Sequence, residues 1–207
     1  MSRMKRMVAL VVAAGAAAMF LAEPAGAART TDPVEETGGE GGGTSAPTPT
    51  AADFNGDSQK DSCYVSDETL NASCVVAAPG KPNLGYQSQR FDPGWKAGRA
   101  WVDHNGDGKM DYCRVVDYTR LACTVSTAPA TWPVSLSGPA IGEGFGETFH
   151  SQNLDAGWDD TRTWVDYNGD GKVDYCRIVG NVFTGYAGVC TMSNGTGFGR
   201  DTPYMGF

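Results

Sequence analysis

The sequence predicts an all-β fold assembled from three copies of one unit. Three observations carry that reading: an acidic loop written three times, an alternating strand pattern after each loop, and a pair of cysteines in each copy. The loops are Asp53-Phe-Asn55-Gly-Asp57-Ser-Gln59-Lys-Asp61, Asp103-His-Asn105-Gly-Asp107-Gly-Lys109-Met-Asp111 and Asp166-Tyr-Asn168-Gly-Asp170-Gly-Lys172-Val-Asp174. No window of helical periodicity with caps occurs in the folded region, where Gly and Pro are too frequent for one.

The chain opens with Arg3, Lys5 and Arg6, an apolar run from Met7 to Leu21, and an Ala25-Gly26-Ala27 cleavage pattern. Residues 1–27 therefore read as a secretory signal peptide. The apolar run falls short of the roughly 20 residues that span a bilayer, and a single membrane anchor is the competing reading. Residues 28–52 are rich in Gly, Thr, Pro and Glu and almost lack large apolar side chains. Such a segment cannot offset its ordering entropy by burial, so it reads as a disordered linker. The folded region is 53–207, one domain with units at about 53–90, 91–150 and 151–207. The expected setting is secreted and extracellular, with no membrane insertion.

Net charge is −8, and the signal segment carries three basic residues and one acid, so its removal leaves −10. That balance argues against nucleic acid and anionic membranes as partners. Nine of the aspartates lie in the three loops.

The second and third copies match well beyond the loop. Gly94-Trp95 through Arg99, Trp101 and Val102 answers Gly157-Trp158 through Arg162, Trp164 and Val165. Downstream, Asp111-Tyr112-Cys113-Arg114 answers Asp174-Tyr175-Cys176-Arg177, and each unit closes near Gly85-Tyr86, Phe145-Gly146 or Phe198-Gly199. A period of this size indicates stacked units. In the second copy Tyr112, Arg114 and Val116 share one face, with Cys113 and Val115 on the other. Reversal near Asp117-Tyr118-Thr119 sets Cys113 opposite Cys123, a hairpin with a cross-strand disulfide.

Six cysteines allow 15 pairings. The repeat favours pairing within copies: Cys63 with Cys74, Cys113 with Cys123, Cys176 with Cys190. Each bridge would contribute about 2–3 kcal/mol, chiefly by restricting the unfolded chain. Metal-binding thiols are the alternative, although a zinc site would want different spacing.

Oxygen side chains recur at loop positions 1, 3, 5 and 9, which is how a short peptide wraps a hard cation; calcium takes about 6–8 oxygens. The plain alternative is a polar turn without metal, since Asn-Gly and Asp-Gly favour hairpins. An EF-hand would need Glu at position 12, where this chain has Tyr64, Arg114 or Arg177.

With Trp-Val before the loop, a strand after it and a Phe-Gly element per unit, the chain resembles the FG-GAP/VCBS repeats of extracellular β-propellers. The variant with Asp-Tyr-Cys-Arg is similar to arrays in secreted proteins of filamentous actinobacteria. The resemblance covers 53–207 and implies a β-propeller-like array of about three four-stranded blades, with Phe-Gly near a neighbouring blade. It also implies calcium (Ca2+) held by Asp103, Asn105, Asp107, the carbonyl of Lys109 and Asp111, and likewise by Asp166, Asn168, Asp170, the carbonyl of Lys172 and Asp174. Asp53, Asn55, Asp57, Gln59 and Asp61 form the corresponding set in the first copy. That copy departs at Ser58, where the others have Gly108 and Gly171, and weaker binding is expected there if the position needs positive φ.

Propellers usually close with about four to eight blades, and this chain offers three, the first without an opening strand. The expectation is that the tail from Gly197 to Tyr204 pairs with the first unit; an open stack and self-association are the alternatives. The recurring Trp95, Trp101, Trp158 and Trp164 are expected in packing, with Trp132 as a candidate exposed contact. Arg99, Arg114, Arg162 and Arg177 are expected to pair structurally with the loop or neighbouring backbone. His104 and His150 are isolated, and no Ser-His-Asp arrangement, nucleophile elbow or phosphate loop occurs. The chain thus reads as a non-enzymatic, calcium-binding recognition or adhesion protein with a polysaccharide or protein ligand. A carbohydrate-active enzyme or accessory module is the alternative, resting thinly on Glu143 and Glu147.

Overall fold

A computed structural model describes residues 49–77, 80–131, 140–141 and 144–204. These form three four-stranded antiparallel sheets with no α-helix and no closed barrel. The first sheet runs β1 (Thr50–Ala52), β2 (Asp61–Ser66), β3 (Asn71–Val76) and β4 (Leu84–Gln87). The second runs β5 (Ala100–Val102), β6 (Asp111–Val116), β7 (Arg120–Ser126) and β9 (Phe145–His150). Between β7 and β9, the two-residue β8 (Ala140–Ile141) leaves its own unit and pairs in parallel with β4. The third sheet runs β10 (Thr163–Val165), β11 (Asp174–Asn181), β12 (Gly185–Ser193) and β13 (Phe198–Pro203).

In every sheet the acidic loop joins the first strand to the second, and the central hairpin carries the disulfide. Register places Cys63 opposite Cys74, Cys113 opposite Cys123 and Cys176 opposite Cys190. All three pairs are bridged, with Cα separations of 4.1, 4.1 and 4.0 Å. The three disulfides fit an oxidising, extracellular or periplasmic setting, and no helix among the described residues is long and apolar enough to cross a membrane.

Two expectations are corrected. Thr50–Ala52, counted with the linker, form β1 and give the first unit its opening strand. Two alanines and a threonine after a Pro-rich stretch carry no alternating signal, so pairing with β2 decides their conformation. The tail does not join the first unit: Phe198–Pro203 is the fourth strand of its own sheet, paired with β12. The signal peptide, Trp132 and Glu143 lie outside the described residues.

The apolar core lies in the seams between sheets. In the first seam Phe54, fully buried, meets Tyr86, Trp101 and Phe145 at centroid distances of 5.8, 6.0 and 4.8 Å. In the second, His104 takes the equivalent place against Phe198 at 4.7 Å and Phe149 at 6.5 Å. Backbone bonds repeat as well: Met110 N–H donates to the Asp53 carbonyl and Val173 N–H to the Asp103 carbonyl, each at 2.9 Å. The hydroxyls of Ser126 and Ser193 donate to the carbonyls of Phe54 and His104. The first and second loops are therefore both turns within their own sheets and docking edges for the next.

Candidate metal centres

The three loops share one hydrogen-bond network. The position-1 aspartate accepts three backbone N–H groups: Asp53 from Gly56, Asp57 and Ser58 at 2.8, 3.1 and 2.8 Å. Asp103 and Asp166 repeat this at 2.7–3.2 Å and 2.8–3.1 Å respectively. The position-3 amide oxygen accepts from position 5 in each loop, at 3.2 Å for Asn55 and 3.0 Å for Asn105 and Asn168. The curl requires left-handed backbone at position 6, where φ is +83° at Gly108 and Gly171 and +67° at Ser58. Ser58 thus occupies a conformation that costs an L-residue roughly 1–2 kcal/mol.

The position-9 aspartate ties the loop to the sheet. Asp111 accepts from the N–H of His104 at 3.0 Å and of Ser126 at 2.8 Å; Asp174 accepts from Tyr167 and Ser193, and Asp61 from Phe54 and Ala77. All three are buried. Burial pushes the Asp111 carboxyl up to about 7 despite those two N–H bonds, and raises Asp61 and Asp174 in the same direction. Burial also raises Asp103. Each carboxylate oxygen offers about two lone pairs, so one N–H bond per oxygen leaves capacity for a cation.

Each position-5 carboxylate accepts the backbone N–H of position 7, at 2.8 Å for Asp57 and 2.9 Å for Asp107 and Asp170. Asp170 pairs with the Lys172 ammonium at 3.1 Å, and that residue's backbone N–H and charge hold its pKa below the usual carboxylate range. The Gln59 amide sits 3.3 Å from Asp57. Side chains at position 7 thus meet the other carboxylate oxygen in the first and third loops. Among the described residues, three His, Cys, Asp or Glu donor atoms come within 4.8 Å of one another at His104, Cys113 and Cys123. Those sulfurs are joined in a disulfide, so this grouping is not a thiolate site. The loop carboxylates are hard, oxygen-only donors, a chemistry that suits calcium, although among the described residues no three carboxylates bring an oxygen within 4.8 Å of one another.

Other expected residues have structural places. Arg114 is buried and donates to the carbonyl of Asp92 at 2.7 Å and to Thr124 at 2.9 Å, with Phe91 4.3 Å beneath its guanidinium. Arg177 is buried likewise, bonding the Asp155 carbonyl and pairing with Asp201 at 2.8 Å. Arg99 and Arg162 hold the carbonyls of Gly94 and Gly157. All four serve neighbouring backbone rather than the acidic loops. His150 ends β9 and Glu147 is exposed on that strand. The tryptophans divide: Trp101 and Trp164 pack in the seams, whereas Trp95 and Trp158 are 42% and 50% exposed. Repeat periodicity shows that a residue belongs to the unit but not which way it faces. No family model matches the chain, and no curated protein or solved structure matches it.

Proposed function

We propose that this chain is a secreted repeat protein of the FG-GAP/VCBS kind, whose three sheets act as blades of a short propeller-like array stiffened by calcium. The carrying observation is one oxygen-lined curl built three times with the same hydrogen bonds, once at the expense of a left-handed serine. In that state the Ser58 N–H donates to Asp53 at 2.8 Å, the bond that Gly108 and Gly171 make in the other loops. Asp53, Asn55, Asp57, the Gln59 carbonyl and Asp61 would hold the ion in the first loop; the equivalent residues would hold it in the second and third. The ion would neutralise clustered carboxylates and fix the edge on which the next sheet docks. The role is recognition or adhesion outside the cell, without catalysis.

Calcium titration by calorimetry on the mature chain tests the metal reading. We expect two similar sites and a third, weaker one at the Ser58 loop. No heat at millimolar calcium would overturn it.

A further inference from the structure

The two seams differ at their rims. In the first, Arg99 reaches across to Asp67 on the β2–β3 hairpin and closes the gap. In the second, Arg162 turns inward instead: it donates to the carbonyls of Ala156, Gly157 and Ala97 and pairs with Asp159, its side chain only 4% exposed. A cleft of about 590 Å³ remains, lined by Tyr118 from the β6–β7 turn and by Asp155, Trp158, Asp159, Asp160 and Gly180 from the third unit.

Its walls combine aromatic faces with carboxylates. Trp158 is anchored by its indole N–H on the Gly180 carbonyl at 3.2 Å, which fixes the ring while half its surface faces solvent. Tyr118 is 55% exposed and sits at φ +56° beside Asp117 at +53°. A turn with two left-handed central residues favours Gly or Asn, and a strained, exposed tyrosine there is a pointer to function. Trp95 stacks on Tyr118 at 3.8 Å and Tyr186 lies 6.5 Å from Trp158, so the aromatic row extends on both sides. Where the second unit has Lys96-Ala97, the third has Asp159-Asp160. The cleft's own cation, Arg162, is taken up by three backbone carbonyls and by Asp159.

We propose that this cleft binds a basic peptide segment, seating an arginine or lysine side chain between Trp158 and Tyr118 with Asp160 and Asp155 around its charge. Cations prefer tryptophan faces within about 6 Å, and the volume lies in the range of about 300–1,000 Å³ typical of specific sites. A neutral sugar would use the aromatic faces and donate hydroxyls to Asp155 and Asp160 but would leave their charge uncompensated, whereas a cationic side chain meets both. The proposal rests on the recognition reading above and names its ligand.

The test is fluorescence anisotropy of a labelled (Gly-Arg)4 peptide in excess calcium, with a (Gly-Ser)4 peptide, a neutral N-acetylated chito-oligosaccharide and a chitosan oligomer as competitors. Trp158→Ala should weaken peptide binding at least tenfold. Asp160→Asn should weaken it about three- to fivefold, and the charge-matched Glu68→Gln on the first unit should leave it unchanged. The proposal fails if the peptide does not bind at millimolar concentration, if Glu68→Gln matches Asp160→Asn, or if Trp158→Ala has no effect. It also fails if either oligosaccharide displaces the peptide; that outcome would leave the recognition reading standing. Loss of the calcium reading would appear in the metal calorimetry and not here.

Discussion

The first and second seams share a backbone plan and differ in what fills it. Both are sewn by the same pair of bonds from one unit to the loop before it. At the centre of the first stands Phe54 among three aromatic rings. At the centre of the second stands His104, fully buried, with neither ring nitrogen hydrogen-bonded. The first rim is closed by an ion pair and the second opens into a cleft. One seam is therefore built for strength, while the other combines a polar weak point at its centre with an opening at its rim. A repeated scaffold can divide labour in this way because the register bonds do not depend on the side chains placed over them.

The largest effect should come from emptying the stronger seam. Phe54→Ala removes a fully buried ring from an aromatic cluster and is expected to destabilise by about 3–5 kcal/mol, read by urea denaturation in calcium. A loss below about 1 kcal/mol would mean that the first seam contributes little to the fold.

His104→Phe makes the second seam like the first. Burying polar nitrogens without partners costs about 1–3 kcal/mol on mutational scales, so this variant should be more stable at neutral pH by a similar amount. Burial lowers the His104 pKa from 6.5 to about 4. The unfolded chain therefore takes up the proton first, and the contribution of neutral His104 is intact above pH 6.5 and lost as pH falls towards 4. A depression of that size corresponds to roughly 3 kcal/mol. Asp111 runs the other way: with its carboxyl pushed up to about 7, the penalty for its charge fades as pH falls from 7 towards 4. The gap between His104→Phe and wild type, measured from pH 7.5 to 4, isolates the histidine and should widen towards acid. A gap independent of pH would contradict a buried neutral imidazole.

The smallest change concerns the loop that begins the first seam. Ser58→Gly relieves a left-handed serine but adds freedom to the unfolded chain. The net gain should be about 0.5–1 kcal/mol, with tighter calcium binding at that loop alone in a titration.

Much of this arrangement is legible in the sequence. Cysteine spacing and the Asp117-Tyr118 reversal define the hairpins, because a cross-strand bridge admits one register. The need for positive φ at Ser58 follows from glycine in the other two copies. The strand at Thr50–Ala52 is not legible, since its conformation comes from pairing and not from its own side chains. The tail's true partner is hidden as well, because the sequence marks Phe198-Gly199 as a repeat element without saying which sheet edge is free. The cleft escapes notice for a similar reason: Arg99 pairs with Asp67 of the neighbouring unit whereas Arg162 pairs with Asp159 of its own, and both arginines look the same when the units are aligned.

At the centre stands the claim that three oxygen-lined curls hold calcium and thereby stiffen the sheets. Scanning calorimetry of the mature chain in millimolar calcium and in chelator reads this directly. With calcium at 100 times its Kd, each occupied site adds about 2.7 kcal/mol, so the unfolding temperature should fall by several degrees or more in chelator. Superimposable melts under the two conditions would contradict it.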